Sequence, residues 1–184
     1  MVRRKILKFA LVAAVALPAA GVMELPAFAG GQPALDDGAI IAIYNQVNSF
    51  DIETALLGQV MGHSPDVRAL GKMVSSDHTG VRKAAHELAG KIGVELTLPA
   101  ARMEAAKAHY AAVAGLRELS GADFDAAYLK HEIAFHEAAI EAVKTVLVPA
   151  ASHEELKAHF EAVLPHFQRH LDETRRVAAE LGVE

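Results

Sequence analysis

The helical pattern of this chain is interrupted at three places, and the interruptions are of very unequal length. Two are short: "GHSPD" at 62–66, and the pair Pro149 and Ala150. The middle one, from Gly93 to Ser120, runs for about 28 residues. An up-and-down bundle needs only short loops, whereas two antiparallel helix pairs joined by one long crossover need a single long connection. The pattern therefore predicts an all-α fold, a ferritin-like four-helix bundle with a long helical crossover between helices 2 and 3. No alternating strand pattern competes with it.

Local signals place the helix ends. The first long helix is expected from about Asp36 to Met61, with Gly62 as its cap and Pro65 opening the next. The second should run from about Pro65 to Ile92, with Val67, Leu70, Val74, Val81, Leu88 and Ile92 on one stripe and Gly93 as its stop. Within the crossover, Pro99 to Leu119 reads as a weaker, Ala-rich helix. Ser120 with Asp123 resembles a capping box for the third long helix, about Ala122 to Val148. Ser152 with Glu155 reads as a capping box for the fourth, about His153 to Leu181, where Pro165 should produce a kink.

The segment before the first helix has different chemistry. It opens with Arg3, Arg4, Lys5 and Lys8, continues with an apolar run from Phe9 to Leu17, and ends in Ala27-Phe28-Ala29. That is the anatomy of a cleaved secretory signal. The apolar run is short for a membrane span of about 20 residues, and Pro18 interrupts it. The expected organisation is a signal peptide at 1–29, a short linker at 30–35 and the bundle domain at 36–184. The expected location is periplasmic or secreted, with no integral membrane segment after cleavage. The chain has no Cys, so no disulfide supports the fold. Cleavage would leave 14 Lys and Arg against 22 Asp and Glu, a net charge of −8 with His neutral. Such a balance argues against nucleic acid or an anionic membrane surface as a partner.

All ten His lie beyond residue 29, and several fall where apolar side chains are expected. At about 100° per residue, Glu132 and His136 sit near the centre of the inner face of the third helix, with His131 at its edge. On the first helix Ile40, Tyr44, Val47, Asp51 and Ala55 share the inner stripe, while Glu53 points away. The second helix turns Asp77 and His78 inward. On the fourth, Phe160, Val163, Phe167 and Leu171 mark the core, His170 lies inside its boundary and His166 is nearer the edge. Counted at 1.5 Å per residue from the turns, these polar residues share one middle layer. Carboxylates and imidazoles that converge in a bundle core are the makings of a metal site. The candidate ligands are Asp51, Asp77, His78, Glu132, His136, His166 and His170, and the expected cofactor is iron, zinc, manganese or copper. His63, His86, His109, His153 and His159 are expected at the surface. A single core His is more often structural, and Asp51 could instead pair with His78 or His136 as a buried ion pair.

Four stretches carry a family resemblance: "FDIETALLGQ", "MVSSDHTGVRKAAHELAGKIGVEL", "LSGADFDAAYLKHEIAFHEAAI" and "VLPHFQRHLDETRRVAAEL". Together they resemble the family called domain of unknown function 4142, over about Ile40 to Leu181. The resemblance implies a ferritin-like bundle behind an exported N-terminus. It places Asp51 where the family usually has Glu, matches Asp77 and His78 to an Asp-His pair, and matches His136 and His170 to a His on each of the last two long helices. Phe135 stands where the family often carries Asp, and His166 is additional to the family pattern. No biochemical activity comes with the resemblance.

Two functions of different class follow. One is an exported bundle that binds a transition metal through a His and carboxylate cluster, with a role in envelope metal or oxidative-stress handling. The other is a metal-free structural or interaction module whose inner polar residues form a hydrogen-bonded network. The four-Glu, two-ExxH pattern of di-iron bundles is absent. A hydrolase built on a His/Asp pair is weaker still, since no Ser or Cys nucleophile stands in a recognisable motif.

Overall fold

The computed structural model describes residues 35–183, so the expected signal peptide and most of the linker lie outside the described residues. Among them there are only helices: α1 (Asp37–Met61), α2 (Pro65–Ile92), α3 (Arg102–Arg117), α4 (Gly121–Ala142), α5 (Val148–Ala150) and α6 (Glu154–Glu180). A π-helical turn at Val143–Leu147 links α4 to the single turn α5. None of the described helices is long and apolar enough to cross a membrane.

Pro65 opens α2 as read, and both α1 and α2 begin on a capping side chain. Asp36 accepts from the Ala39 N–H, and Ser64 accepts from the Asp66 N–H with Pro65 at the first helical position. Gly93 ends α2 at φ +73°, in the left-handed region where a side chain is costly. The two expected capping boxes do not form. Ser120 makes no side-chain cap bond. Ser152 gives its hydroxyl to Asp37 instead, 2.7 Å away, and His153 occupies the cap position of α6. A tertiary acceptor has outcompeted a local cap.

The connectivity is fixed by two carboxylate latches. At one end, Asp125 at the start of α4 accepts the backbone N–H groups of His63 and Ser64, in the α1–α2 turn, at 2.8 and 2.7 Å. At the other, Asp37 at the start of α1 accepts the N–H groups of Ser152 and His153 at 2.8 and 2.9 Å, together with the His153 ring. So α4 begins beside the α1–α2 turn and ends beside the start of α1. The chain must travel back along the bundle between α2 and α4, and α3 is that crossover. The predicted one-crossover bundle is what the chain forms.

Asp37 carries a pH prediction. Burial alone would raise its pKa, but the N–H groups of Ser152 and His153, the His153 ring and the Ser152 hydroxyl bring it down to about 2 from 3.8. A lowered carboxylate contributes stability that is present above the unfolded-state value and is lost as pH falls toward the folded-state value. The expected loss between about pH 4 and pH 2 is on the order of 1–2 kcal/mol, at about 1.4 kcal/mol per unit. Urea midpoints of the parent and of Asp37→Asn across this range test it. Equal slopes for the two proteins would show that the latch does not titrate.

The core has two apolar parts. One gathers Ile40, Tyr44, Leu156, Phe160 and Phe167 toward the α1 start, and the other gathers Val67, Leu70, Phe124 and Tyr128 toward the α1–α2 turn. Burying such side chains contributes about 1.5–3 kcal/mol each. A polar layer crosses the bundle between the two parts.

Candidate metal centre

In that layer Asp51, Glu132 and His136 are fully buried, and His78 and His170 nearly so. Each helix of the bundle contributes: α1 supplies Asp51, α2 His78, α4 Glu132 and His136, and α6 His170. The Asp51 Oδ2 atom lies 3.0 Å from His78 Nε2 and 3.3 Å from His136 Nε2. His78 Nε2 lies 3.2 Å from His170 Nδ1. The inward nitrogens of the three His lie within 4.8 Å of one another, and a ligand atom from each of Asp51, Glu132 and His136 meets the same limit.

The outer nitrogens settle which inner ones carry a proton. His136 Nδ1 donates to the Glu132 backbone carbonyl at 2.9 Å. His78 Nδ1 meets Asn48 Oδ1 at 2.8 Å. The Asn48 amide is itself oriented, because its Nδ2 donates to the Tyr44 carbonyl at 2.8 Å, leaving Oδ1 as the acceptor. His170 Nε2 donates to Asp77 Oδ2 at 2.9 Å, and Arg169 holds the same oxygen at 2.6 Å. In a neutral imidazole only one nitrogen carries hydrogen. With the outer nitrogens as donors, the inner nitrogen of each ring is a bare lone pair whenever that ring is neutral.

Burial lowers the pKa of His136 and takes that of His170 down to about 4, although Asp51 opposes both and the Asp77 hydrogen bond also opposes the second. These rings are therefore neutral near pH 7. Burial would raise Asp51, but the charges that His78 and His136 take up when they are protonated at low pH hold it below the usual carboxylate range. Burial and the Asp51 charge push Glu132 well up, so it is a neutral acid. The layer thus holds one carboxylate anion, with the Glu132 acid beside it as a proton donor and His78 Nε2 3.0 Å from Oδ2, yet no oxygen of Asp51 or Glu132, nor His136 Nε2, makes a well-aligned hydrogen bond.

Five of the seven expected ligands therefore meet: Asp51, His78, Glu132, His136 and His170. Asp77 grips His170 from the outside, opposite the cluster. His166 remains on the exposed face of α6, outside both groupings. Sequence reasoning missed Asn48, which sits between Tyr44 and Asp51 on the stripe that should be apolar; a third polar residue there was the available signal. It was wrong about His109, which is buried, stacks on Phe50 at 4.2 Å and contacts Glu53 at 2.9 Å. His109 belongs to the crossover helix, which covers α1 on the side toward which Glu53 points. His153 and His159 are half-buried rather than fully at the surface.

No curated protein and no solved structure matches the chain. A family match covers residues 23–177 and takes in every residue of the polar layer. The chain belongs to the family described as Domain of unknown function (DUF4142).

Proposed function

We propose that the bundle holds one divalent first-row transition-metal ion, ligated by Asp51, His78, His136 and His170, with Glu132 beside it. One observation carries the reading: the fully buried Asp51 carboxylate and the inner nitrogens of three buried imidazoles crowd together, and neither Asp51 oxygen makes an aligned hydrogen bond. A buried anion whose one neighbouring donor is the Glu132 acid is poorly compensated, and imidazole lone pairs turned toward each other repel. A cation at their meeting point resolves both.

The spacing supports it. Four ligands about 2.0–2.1 Å from a tetrahedral ion are separated by about 3.3 Å, and three of the six separations, Asp51 to His78, Asp51 to His136 and His78 to His170, are 3.0–3.3 Å. The outer partners Asn48, Asp77 and the Glu132 carbonyl have the place that second partners of metal-bound His usually take, where they fix ring orientation and tautomer. Imidazole with carboxylate suits zinc, iron, manganese or copper. Ligands this deeply buried resemble a closed site that keeps its ion more than an open one that turns over substrate. For a chain whose N-terminus reads as a secretory signal, the role is holding metal outside the cytoplasm.

Elemental analysis tests the reading on protein purified without a His tag. One transition-metal equivalent per chain is expected, lost on prolonged chelation and regained on adding back the ion. Protein that carries no metal and takes none up sinks it. The layer would then be a hydrogen-bonded network, with a proton between His78 and His170.

A further inference from the structure

Between α1, α4 and the π-helical turn lies an apolar cavity of about 60 Å³. Its lining includes Tyr44, Phe135, Ala139, Val146, Phe167 and one charged residue, Arg102 at the start of α3. Arg102 is only 4 % exposed. Its Nε donates to Gln46 Oε1 at 2.8 Å, while Nη2 is buried without a partner. Among the described residues no carboxylate lies within ion-pair distance of it. The Tyr44 hydroxyl is also buried without a partner. The π-helical turn supplies Val143, Val146 and Leu147 to the wall, and such turns often mark functional sites.

A buried guanidinium without a counter-ion, on a residue that lines an apolar space, calls for an anion of matching shape. We propose that this cavity binds a small organic monocarboxylate, its head paired with the Arg102 guanidinium and its short aliphatic tail among Phe135, Ala139, Val146 and Phe167. The planar fork of Arg matches a carboxylate. A dianion such as phosphate would keep one charge uncompensated, because the lining has no second cation. The volume has room for about four to six water-sized groups, which suits an acid of about four carbons. The cavity shares none of the proposed metal ligands, although Phe167 stacks on His78 with ring centres 4.8 Å apart. This site is independent of the metal.

Calorimetric titration of the protein with sodium butyrate, in chelator so that metal plays no part, tests the proposal. Acetate, 1-butanol and inorganic phosphate serve as comparators. Butyrate is expected to bind one per chain at millimolar concentration or tighter, ahead of all three comparators. Arg102→Met should lose at least tenfold in affinity while its melting temperature holds or rises, because it removes a buried charge and keeps the stem. Ala142 also lines the cavity; Ala142→Leu, which fills it and leaves Arg102 alone, should weaken butyrate more than acetate. The proposal is overturned if butyrate gives no saturable heat, if Arg102→Met binds it like the parent, or if 1-butanol or phosphate binds as well.

Discussion

Excess metal is expected to raise the melting temperature of the parent protein by about 8–16 °C and to leave that of His136→Ala where it was. An ion present at about a thousand times its dissociation constant stabilises the folded state by about 4 kcal/mol. In a domain of this size each kcal/mol moves the midpoint by about 2–4 °C. His136 has no exposed surface, so its loss removes one of the four proposed ligands from inside the layer. His86→Ala, at an exposed position of α2, should shift as the parent does. Asn48→Ala should retain a smaller shift, since losing a second partner typically costs about 10–100-fold in metal affinity. The parent's shift should shrink as pH falls, because protons compete for the same nitrogens. The comparison is between shifts, not absolute midpoints, because each truncation also leaves a cavity. No shift in any of the four proteins would mean that the layer is not a metal site.

Gly71→Ala should destabilise the protein by about 3 kcal/mol or more, whereas Gly80→Ala on the same helix should stabilise it by about 1 kcal/mol. A methyl group at Gly71 would meet the α1 backbone, lying 2.5 Å from the Gln59 nitrogen and 2.9 Å from the Gly58 carbonyl carbon. Backbone cannot swing aside as a side-chain tip can, so α1 and α2 would have to separate. Overpacking of this kind costs about 1–3 kcal/mol and sometimes more. Gly58 makes the approach tight from the other side, since a methyl group there would lie 2.7 Å from the Tyr128 hydroxyl. At Gly80 an added methyl group meets nothing within 4 Å, and only the helix preference of Ala over Gly remains. Denaturant midpoints of the two variants against the parent decide the matter. The same sign for both would rule out the close crossing.

The parts of this molecule that could be read from sequence are those written in a helical period. Asp51, His78, Glu132, His136 and His170 stood out because they fell on stripes that should be apolar, at matching distances from short turns. The structure brings those five together. The ends of α2 were legible because Pro65 and Gly93 act through their own backbone. What escaped depended on distant partners. Ser152 looked like a local cap, but Asp37 lies 115 positions away in sequence and takes its hydroxyl. His109 and Arg102 lie on the crossover helix, whose Ala-rich sequence marks no strong face, so nothing local announced that both would be buried. Gly58 and Gly71 were silent for a related reason: a glycine shows what approaches it only once the second helix is in place.

Because the four proposed ligands come one each from α1, α2, α4 and α6, neither hairpin alone would hold the ion through more than two of them. Asp51 and His78 belong to one hairpin, His136 and His170 to the other. An ion gripped by all four could depart only when the hairpins part, and the latches at Asp37 and Asp125 tie the hairpins together at both ends. Its residence time would then follow the opening rate of the protein instead of the lability of the individual metal bonds. Two ions of quite different ligand-exchange rates would leave at nearly the same slow pace, and the ion carried would be the one at hand when the bundle closed.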